Sequence, residues 1–138
     1  MTEKEIEKNF VNTYIIKNRR ERIIFELSNP KKREDALSRF CHEALTYLME
    51  SMIIYQGNKV SHAELLSMIR EHTKEKQCYV IAYNEYLDQK FMENQNAINQ
   101  VIGNGMAAIM IWDNIVIVET EQEQGPAMKY VLSKMSKS

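Results

Sequence analysis

Lysine and arginine side chains are concentrated in residues 17–33, where seven of them occur in a chain whose formal net charge is −1. Within this basic region the dipeptide Asn29-Pro30 predicts a helix start, because asparagine caps helices well and proline suits the first helical position. The cations that follow would lie in a first helical turn, where they oppose the helix dipole. Together with free backbone N–H groups they could hold an anion. The candidates for binding an anion or a partner are Arg19, Arg20, Lys31, Lys32 and Arg33.

Two kinds of anion fit the basic region, and the sequence leaves both open. One is the phosphate backbone of a nucleic acid, which proteins contact mainly through Lys and Arg. The other is a carboxylate-rich protein surface. Residues 1–39 carry ten basic and seven acidic side chains, so the rest of the chain is acidic and the molecule is polarised. A sequence pI near 6.3 is low for a dedicated nucleic-acid-binding domain, which favours the protein surface.

Glutamates alternate at the end of the apolar segment IVIV. If a strand continues through them, Glu119, Glu121 and Glu123 share one face and could bind a basic partner. Acidic residues near 113–121 also raise the alternative of a small metal-dependent hydrolase. Asp113 and Glu119 would lie roughly 20 Å apart along an extended strand, however, which is too far to share a metal ion. We therefore predict neither a metal site nor catalytic residues.

Cysteine and histidine positions indicate neither nucleophilic catalysis nor a zinc site. Cys41 lies in an apolar helical stripe and Cys78 opens an apolar strand, as buried core thiols do. No CxxC or HExxH spacing is present, and adjacent positions such as Cys41 and His42 diverge by about 100° on a helix. The sequence GNG at 103–105 closes a helix, unlike a dinucleotide-binding loop. The sequence therefore predicts no cofactor.

Helix signals fill the first half of the chain. Capping boxes, in which Ser or Thr is followed three residues later by Glu, occur at Thr2–Glu5 and Ser61–Glu64. The first opens a helix over 3–27, whose polar middle could break it, and the second opens a third helix. Between them, apolar residues at helical spacing predict a helix that begins at Pro30 and stops before the turn sequence QGN.

The second half changes to short β-branched segments. Residues 78–83 predict one strand, and residues 107–121 predict two strands joined by a two-residue hairpin at Asp113-Asn114. A helix between these strands and a last helix from Gly125-Pro126 complete a βαββα unit. The fold class predicted is α+β, with a helical N-terminal half of three helices followed by this unit and its small, mostly antiparallel sheet.

The predicted strands are apolar on both faces, whereas an exposed antiparallel sheet alternates apolar and polar residues. Both faces therefore need cover. The predicted helices could supply it in a three-layer arrangement, and another copy of the chain is the alternative, so a homo-oligomer is one expectation.

Length and hydropathy bound the remaining expectations. A chain of 138 residues fits one domain, 1–138. No apolar run approaches 18 residues and the charged N-terminus lacks a signal-peptide pattern, so we expect no membrane association and a cytoplasmic location. The leading hypothesis is a non-enzymatic intracellular protein-binding module of the inhibitor, immunity or regulatory kind. Phosphate or nucleic-acid binding through the 17–33 region is the first alternative, and the hydrolase is the second.

Overall fold

Antiparallel strands form one six-stranded sheet in the computed structural model, which describes residues 2–104, 106–121 and 127–134. The strands of this part of the chain are β1 Ile53–Gly57, β2 Gln77–Ala82, β3 Lys90–Glu93, β4 Ala108–Ile111, β5 Ile115–Glu119 and β6 Lys129–Ser133. Their order across the sheet is β1-β6-β5-β4-β2-β3, so β1 and β3 are the two edges.

Six α-helices accompany these strands within the described residues. They are α1 Glu3–Tyr14, α2 Arg20–Leu27, α3 Arg33–His42, α4 Ala44–Tyr47, α5 His62–His72 and α6 Asn94–Val101. Single 3-10 turns occur at Lys17–Arg19 and Glu50–Met52. The mixed α+β class and the helical character of the N-terminal half are therefore confirmed.

Helices cover both faces of the sheet, which gives the molecule three layers. Helices α1 to α4 pack on the strand side chains that include Tyr79, Ile109 and Val118. Helices α5 and α6 pack on the opposite face, against side chains such as Val80 and Met110. The strands that are apolar on both faces are thus covered by helices of their own chain.

The hairpin predicted at Asp113-Asn114 joins β4 to β5. The Trp112 backbone N–H donates to the Ile115 carbonyl at 2.9 Å, and Ile111 pairs with Val116 directly beyond it. The two-residue loop therefore sets the register of the two central strands.

The long first helix breaks at Ile15. There the chain becomes extended, because the Ile16 N–H donates to the Tyr47 carbonyl and the Met49 N–H donates to the Tyr14 carbonyl, both at 2.8 Å. Ile15 pairs with Leu48 and becomes fully buried. Tertiary hydrogen bonds thus replace the helical hydrogen bonds at this point, and the break buries a β-branched residue.

Three segments predicted as helix contain strands instead. The second predicted helix ends before Ile53–Gly57, which is β1, and the helix predicted after β2 yields β3 before α6 begins. The predicted last helix is β6, with Gly125-Pro126 outside the described residues. Its Tyr130 and Val131 point to opposite faces, which is the period of a strand that pairs with β1 and β5. The order after α5 is therefore ββαβββ.

Both predicted capping boxes are present. The hydroxyls of Thr2 and Ser61 accept from the backbone N–H groups of Glu5 and Glu64, whose side chains bond back to the caps. Each box satisfies two backbone donors that the helix itself leaves unpaired.

Replacing Ser61 with alanine is expected to lower the free energy of unfolding by about 1 kcal/mol, because the Glu64 N–H loses its acceptor at 3.1 Å. Urea unfolding of this variant is compared with that of Ser67→Ala, a change at an exposed serine inside the same helix. Alanine favours helix interiors, so the second change should not destabilise. Equal losses in the two variants would contradict the capping role.

Candidate functional site

The guanidinium of Arg33 lies between two carboxylates of its own chain. Its Nη1 and Nη2 each donate to Glu7 at 2.7 Å, and its Nε and Nη2 donate to Asp88 at 2.7 and 2.9 Å. Nη1 also donates to the Leu27 carbonyl at 2.9 Å. The exposed fractions of the Arg33 and Glu7 side chains are 11% and 9%. The charge of Arg33 is thus used inside the fold.

We call this group the Arg33 cluster. Each of its members comes from a different element, and they are Glu7, Arg33, Tyr79 and Asp88. Glu7 is on α1, Arg33 opens α3 and Asp88 lies in the turn before β3. Tyr79 of β2 completes the cluster by donating its hydroxyl to Glu7 at 2.5 Å, and the Ala82 N–H donates to Asp88 at 3.0 Å. The cluster fixes α1 and the α2–α3 corner against the edge of the sheet.

Electrostatics within the cluster favour the charged form of Arg33 and the neutral form of Tyr79. Burial alone would lower the pKa of the Arg33 guanidinium, but its hydrogen bonds to Glu7 and Asp88 and their charges outweigh burial and raise it. Burial raises the pKa of the Tyr79 hydroxyl most, and the hydrogen bond to Glu7 raises it further. The phenol therefore remains a proton donor to the carboxylate.

Lys31 and Lys32 lie at the same corner and are both exposed. The Lys31 N–H donates to the Asn29 side chain at 3.0 Å, and the N–H groups of Lys32 and Arg33 donate to the Asn29 carbonyl at 2.9 and 3.0 Å. The Lys32 ammonium lies 5.3 Å from the centroid of the Phe25 ring. These three amides are thus occupied within the molecule, which disfavours a backbone anion site here.

Arg19 and Arg20 lie at the other end of α2 from the corner. Arg20 donates from Nε to the Ile15 carbonyl at 2.7 Å, and Arg19 stacks 4.8 Å above the centroid of the Tyr47 ring. The eight residues of α2 separate these arginines from the corner lysines by about 12 Å along the helix axis. The predicted basic residues therefore do not converge on one concave surface.

Glu119 is fully buried, although the sequence places it on a solvent-exposed acidic strand end. It accepts from the Gly103 N–H at 3.0 Å and lies 3.7 Å from the Lys129 ammonium, its direct neighbour across β5 and β6. Burial raises the pKa of Glu119, and the Gly103 N–H and the Lys129 charge act in the opposite direction. Glu119 is thus an internal carboxylate that is engaged by Gly103 and Lys129.

Glu121 turns to the opposite face from Glu119. It accepts from the Ser38 hydroxyl of α3 at 2.5 Å, whereas Glu119 faces the end of α6 through Gly103. The strand ends at Glu119, so the alternation predicted for the three glutamates does not continue. Glu123 lies outside the described residues. The predicted acidic face is therefore not formed by Glu119 and Glu121.

Asp113 is also engaged far from these glutamates. Its Oδ1 accepts from the Thr73 hydroxyl at 2.6 Å and its backbone N–H donates to Glu75 at 2.7 Å. Among the residues that the structure describes, no three His, Cys, Asp or Glu side chains are grouped to hold a metal ion. The acidic residues near 113–121 thus act as separate structural partners.

Both cysteines are buried. Burial raises the pKa of the Cys78 thiol to about 12 and that of the Cys41 thiol further. A thiolate is the nucleophilic form of cysteine, so neither thiol is activated in this environment.

A groove of about 710 Å³ opens beside the Arg33 cluster. It lies between the start of α1, the α2–α3 corner and the edge strand β3, and we call it the corner groove. Residues that line it include Lys4, Glu7, Leu27, Pro30, Arg33 and Phe91. Phe91 is 52% exposed. Phe91 was not recognisable as a groove residue from the sequence, because the apolar residues of its segment have helical spacing.

Comparison with protein-family models, with curated proteins and with solved structures finds no match for this chain. No helix in the described part of the chain has both the length and the apolarity to cross a bilayer. The corner groove and the residues around it are therefore the candidate functional site.

Proposed function

We propose that this protein is a non-enzymatic protein-binding module that receives an acidic segment of a partner in the corner groove. The observation that carries the proposal is Phe91, a large apolar side chain that is 52% exposed on the edge strand β3. Aromatic side chains at the centre of a contact supply much of the binding energy of protein interfaces.

Phe91 is held in a fixed position. Its ring packs edge-on against Tyr79, with centroids 5.2 Å apart and planes at 61°, and Tyr79 is buried and bonded to Glu7. Leu27 and Pro30 form the facing apolar wall of the groove. A rigid aromatic ring loses little conformational entropy when a partner covers it, so Phe91 is suited to anchor an apolar side chain.

Two exposed lysines flank the groove. Arg33 is shared by the carboxylates of Glu7 and Asp88, which leaves Glu3 and Lys4 as the other charges in the lining. Lys31 is exposed and adjoins a lining residue in the chain. Lys4 and Lys31 can pair with carboxylates of an acidic segment, and such pairing would speed its association.

A protein segment suits this surface better than a nucleic acid. The amides at the corner are occupied by Asn29, and the five predicted cations are divided between an internal cluster and both ends of α2. An apolar wall beside a few lysines matches a peptide with one apolar anchor and flanking carboxylates.

Replacing Phe91 with alanine is expected to weaken binding of such a segment at least about 30-fold, the effect of removing an interface anchor worth about 2 kcal/mol. Because no partner is identified, the probe is a displayed library of random peptides selected on the wild-type protein. Selected peptides should be rich in Asp and Glu around one apolar residue. Their affinities for the wild type and for Phe91→Ala are then measured by fluorescence anisotropy.

The matched control is Tyr86→Ser, which removes an aromatic side chain that is 81% exposed but does not line the groove. It should leave peptide affinity unchanged. Selection of no acidic peptides, or equal losses in both variants, would contradict the proposal. Salt-sensitive binding of duplex or single-stranded nucleic acid, unaffected by Phe91→Ala, would instead support the phosphate alternative.

A further inference from the structure

The two edges of the sheet differ in how they are protected from pairing with another strand. Strand β3 has four residues, two of them charged, and its last residue Glu93 caps α6. Strand β1 has five residues, Ile53–Gly57, and none is charged. Natural proteins usually guard a sheet edge with charges, proline, a bulge or short length. Strand β1 has a bulge near its start but no charge, so charge protects it less than it protects β3.

Apolar side chains of β1 remain half-buried on both faces of the sheet. Ile53 packs on the core under α1 to α4, whereas Ile54 and Tyr55 pack on the core under α5 and α6. A bulge between Ile53 and Tyr55 places two consecutive apolar residues on that second face, and pairing with β6 is regular from Tyr55 to Gly57. The hydrophobic cores on both faces of the sheet thus extend to β1, the strand at its open edge.

Charges of opposite sign flank this uncharged strand. Glu50 precedes it and Lys59 follows it, and both are exposed. In an antiparallel pairing of two identical strands, the beginning of one lies beside the end of the other. Self-pairing of β1 about a point between Ile54 and Tyr55 would therefore bring each Glu50 toward the Lys59 of the other copy.

We propose that β1 pairs antiparallel with β1 of a second copy of this chain, which joins the two sheets into one across a twofold axis. With the axis between Ile54 and Tyr55, each Ile54 faces the Tyr55 of the other copy, a favourable pairing of β-branched and aromatic side chains. The contact is isologous and closes as a dimer. It lies at the opposite edge from the corner groove, so it is independent of the function proposed above.

A second copy fits this edge better than an unrelated strand. Uncharged residues at the twofold axis place no like charges opposite each other, and the flanking charges of β1 complement those of an identical strand that runs in the reverse direction. The remaining half-exposed apolar side chains of both faces would continue into the equivalent faces of the second copy.

Charge reversal with rescue tests the proposal. Sedimentation velocity of the full chain over about a hundredfold range of concentration should show a monomer–dimer equilibrium. Glu50→Lys and Lys59→Glu should each raise the dissociation constant about tenfold, and the double variant should restore it because the opposite charges meet again. Lys76→Glu, an exposed change beside the other edge of the sheet, is the control and should have no effect.

Two outcomes would overturn the proposal. One is a monomer at every concentration. The other is a dimer whose dissociation constant is unchanged by the single reversals, or is not restored in the double variant. Circular dichroism of each variant shows that the fold is retained, so loss of the dimer is separated from unfolding.

Discussion

Replacing Arg33 with methionine is expected to lower the free energy of unfolding by about 3–5 kcal/mol, because it leaves two largely buried carboxylates without their cation. Arg33 makes five hydrogen bonds, of which four reach the carboxylates of Glu7 and Asp88 and one reaches the Leu27 carbonyl. Methionine has a similar length but offers none of these donors. Urea unfolding followed by circular dichroism measures the loss.

The adjacent Lys32→Met is the matched control for this change. Lys32 is exposed and contacts the face of Phe25, so its loss should cost less than about 1 kcal/mol. Arg33→Lys should fall between the two, since lysine keeps the charge but cannot form the bidentate bonds. Losses of equal size for Arg33→Met and Lys32→Met would show that the internal ion pairs contribute little.

Replacing Lys129 with methionine is expected to lower the free energy of unfolding by about 3 kcal/mol at neutral pH. Glu119 is fully buried and would keep its bond from the Gly103 N–H but lose the cation 3.7 Å away. Thermal or urea unfolding measures this loss. Glu119→Gln introduced into the variant should recover part of it, because the neutral amide can still accept from Gly103.

The loss of unfolding free energy in Lys129→Met should also depend on pH, and the direction of this dependence follows from the pKa of Glu119. Burial raises the pKa of Glu119 in the folded protein, so the folded state binds its proton more readily than the unfolded state. Binding of this proton adds to the free energy of unfolding at low pH, and that contribution is lost as the pH rises through the folded-state pKa of Glu119. Without Lys129 that pKa rises further, and the deficit should grow with pH.

Unfolding at about pH 5 and about pH 8 tests this dependence. We expect a smaller difference between wild type and Lys129→Met at the acidic pH. The variant that also carries Glu119→Gln should lack this dependence, because the titrating carboxyl is gone. A difference that is constant across this range would contradict this linkage, because the Glu119 carboxyl would then have the same protonation state in both proteins.

Local signals in the sequence determined the parts of the fold that depend on neighbouring residues. Thr2 and Ser61 open helices because their hydroxyls reach amides only three residues away. Two short apolar, β-branched segments on either side of Asp113-Asn114 determined the central hairpin, and strands apolar on both faces required cover on both faces. The coarse α+β class follows from these short-range patterns, whereas the packing of helices on both faces shows that the chain supplies this cover itself.

Long-range contacts, by contrast, determine which residues are strand and which charges are internal. The apolar residues of segment 129–133 suit a helix or a strand, and pairing with both β5 and β1 makes the segment a strand. Arg33 resembles its neighbours Lys31 and Lys32 in the sequence, but the chain brings Glu7 and Asp88 to it from 26 and 55 residues away. Periodicity within one segment carries no information on such distant partners, because burial and long-range pairing decide them.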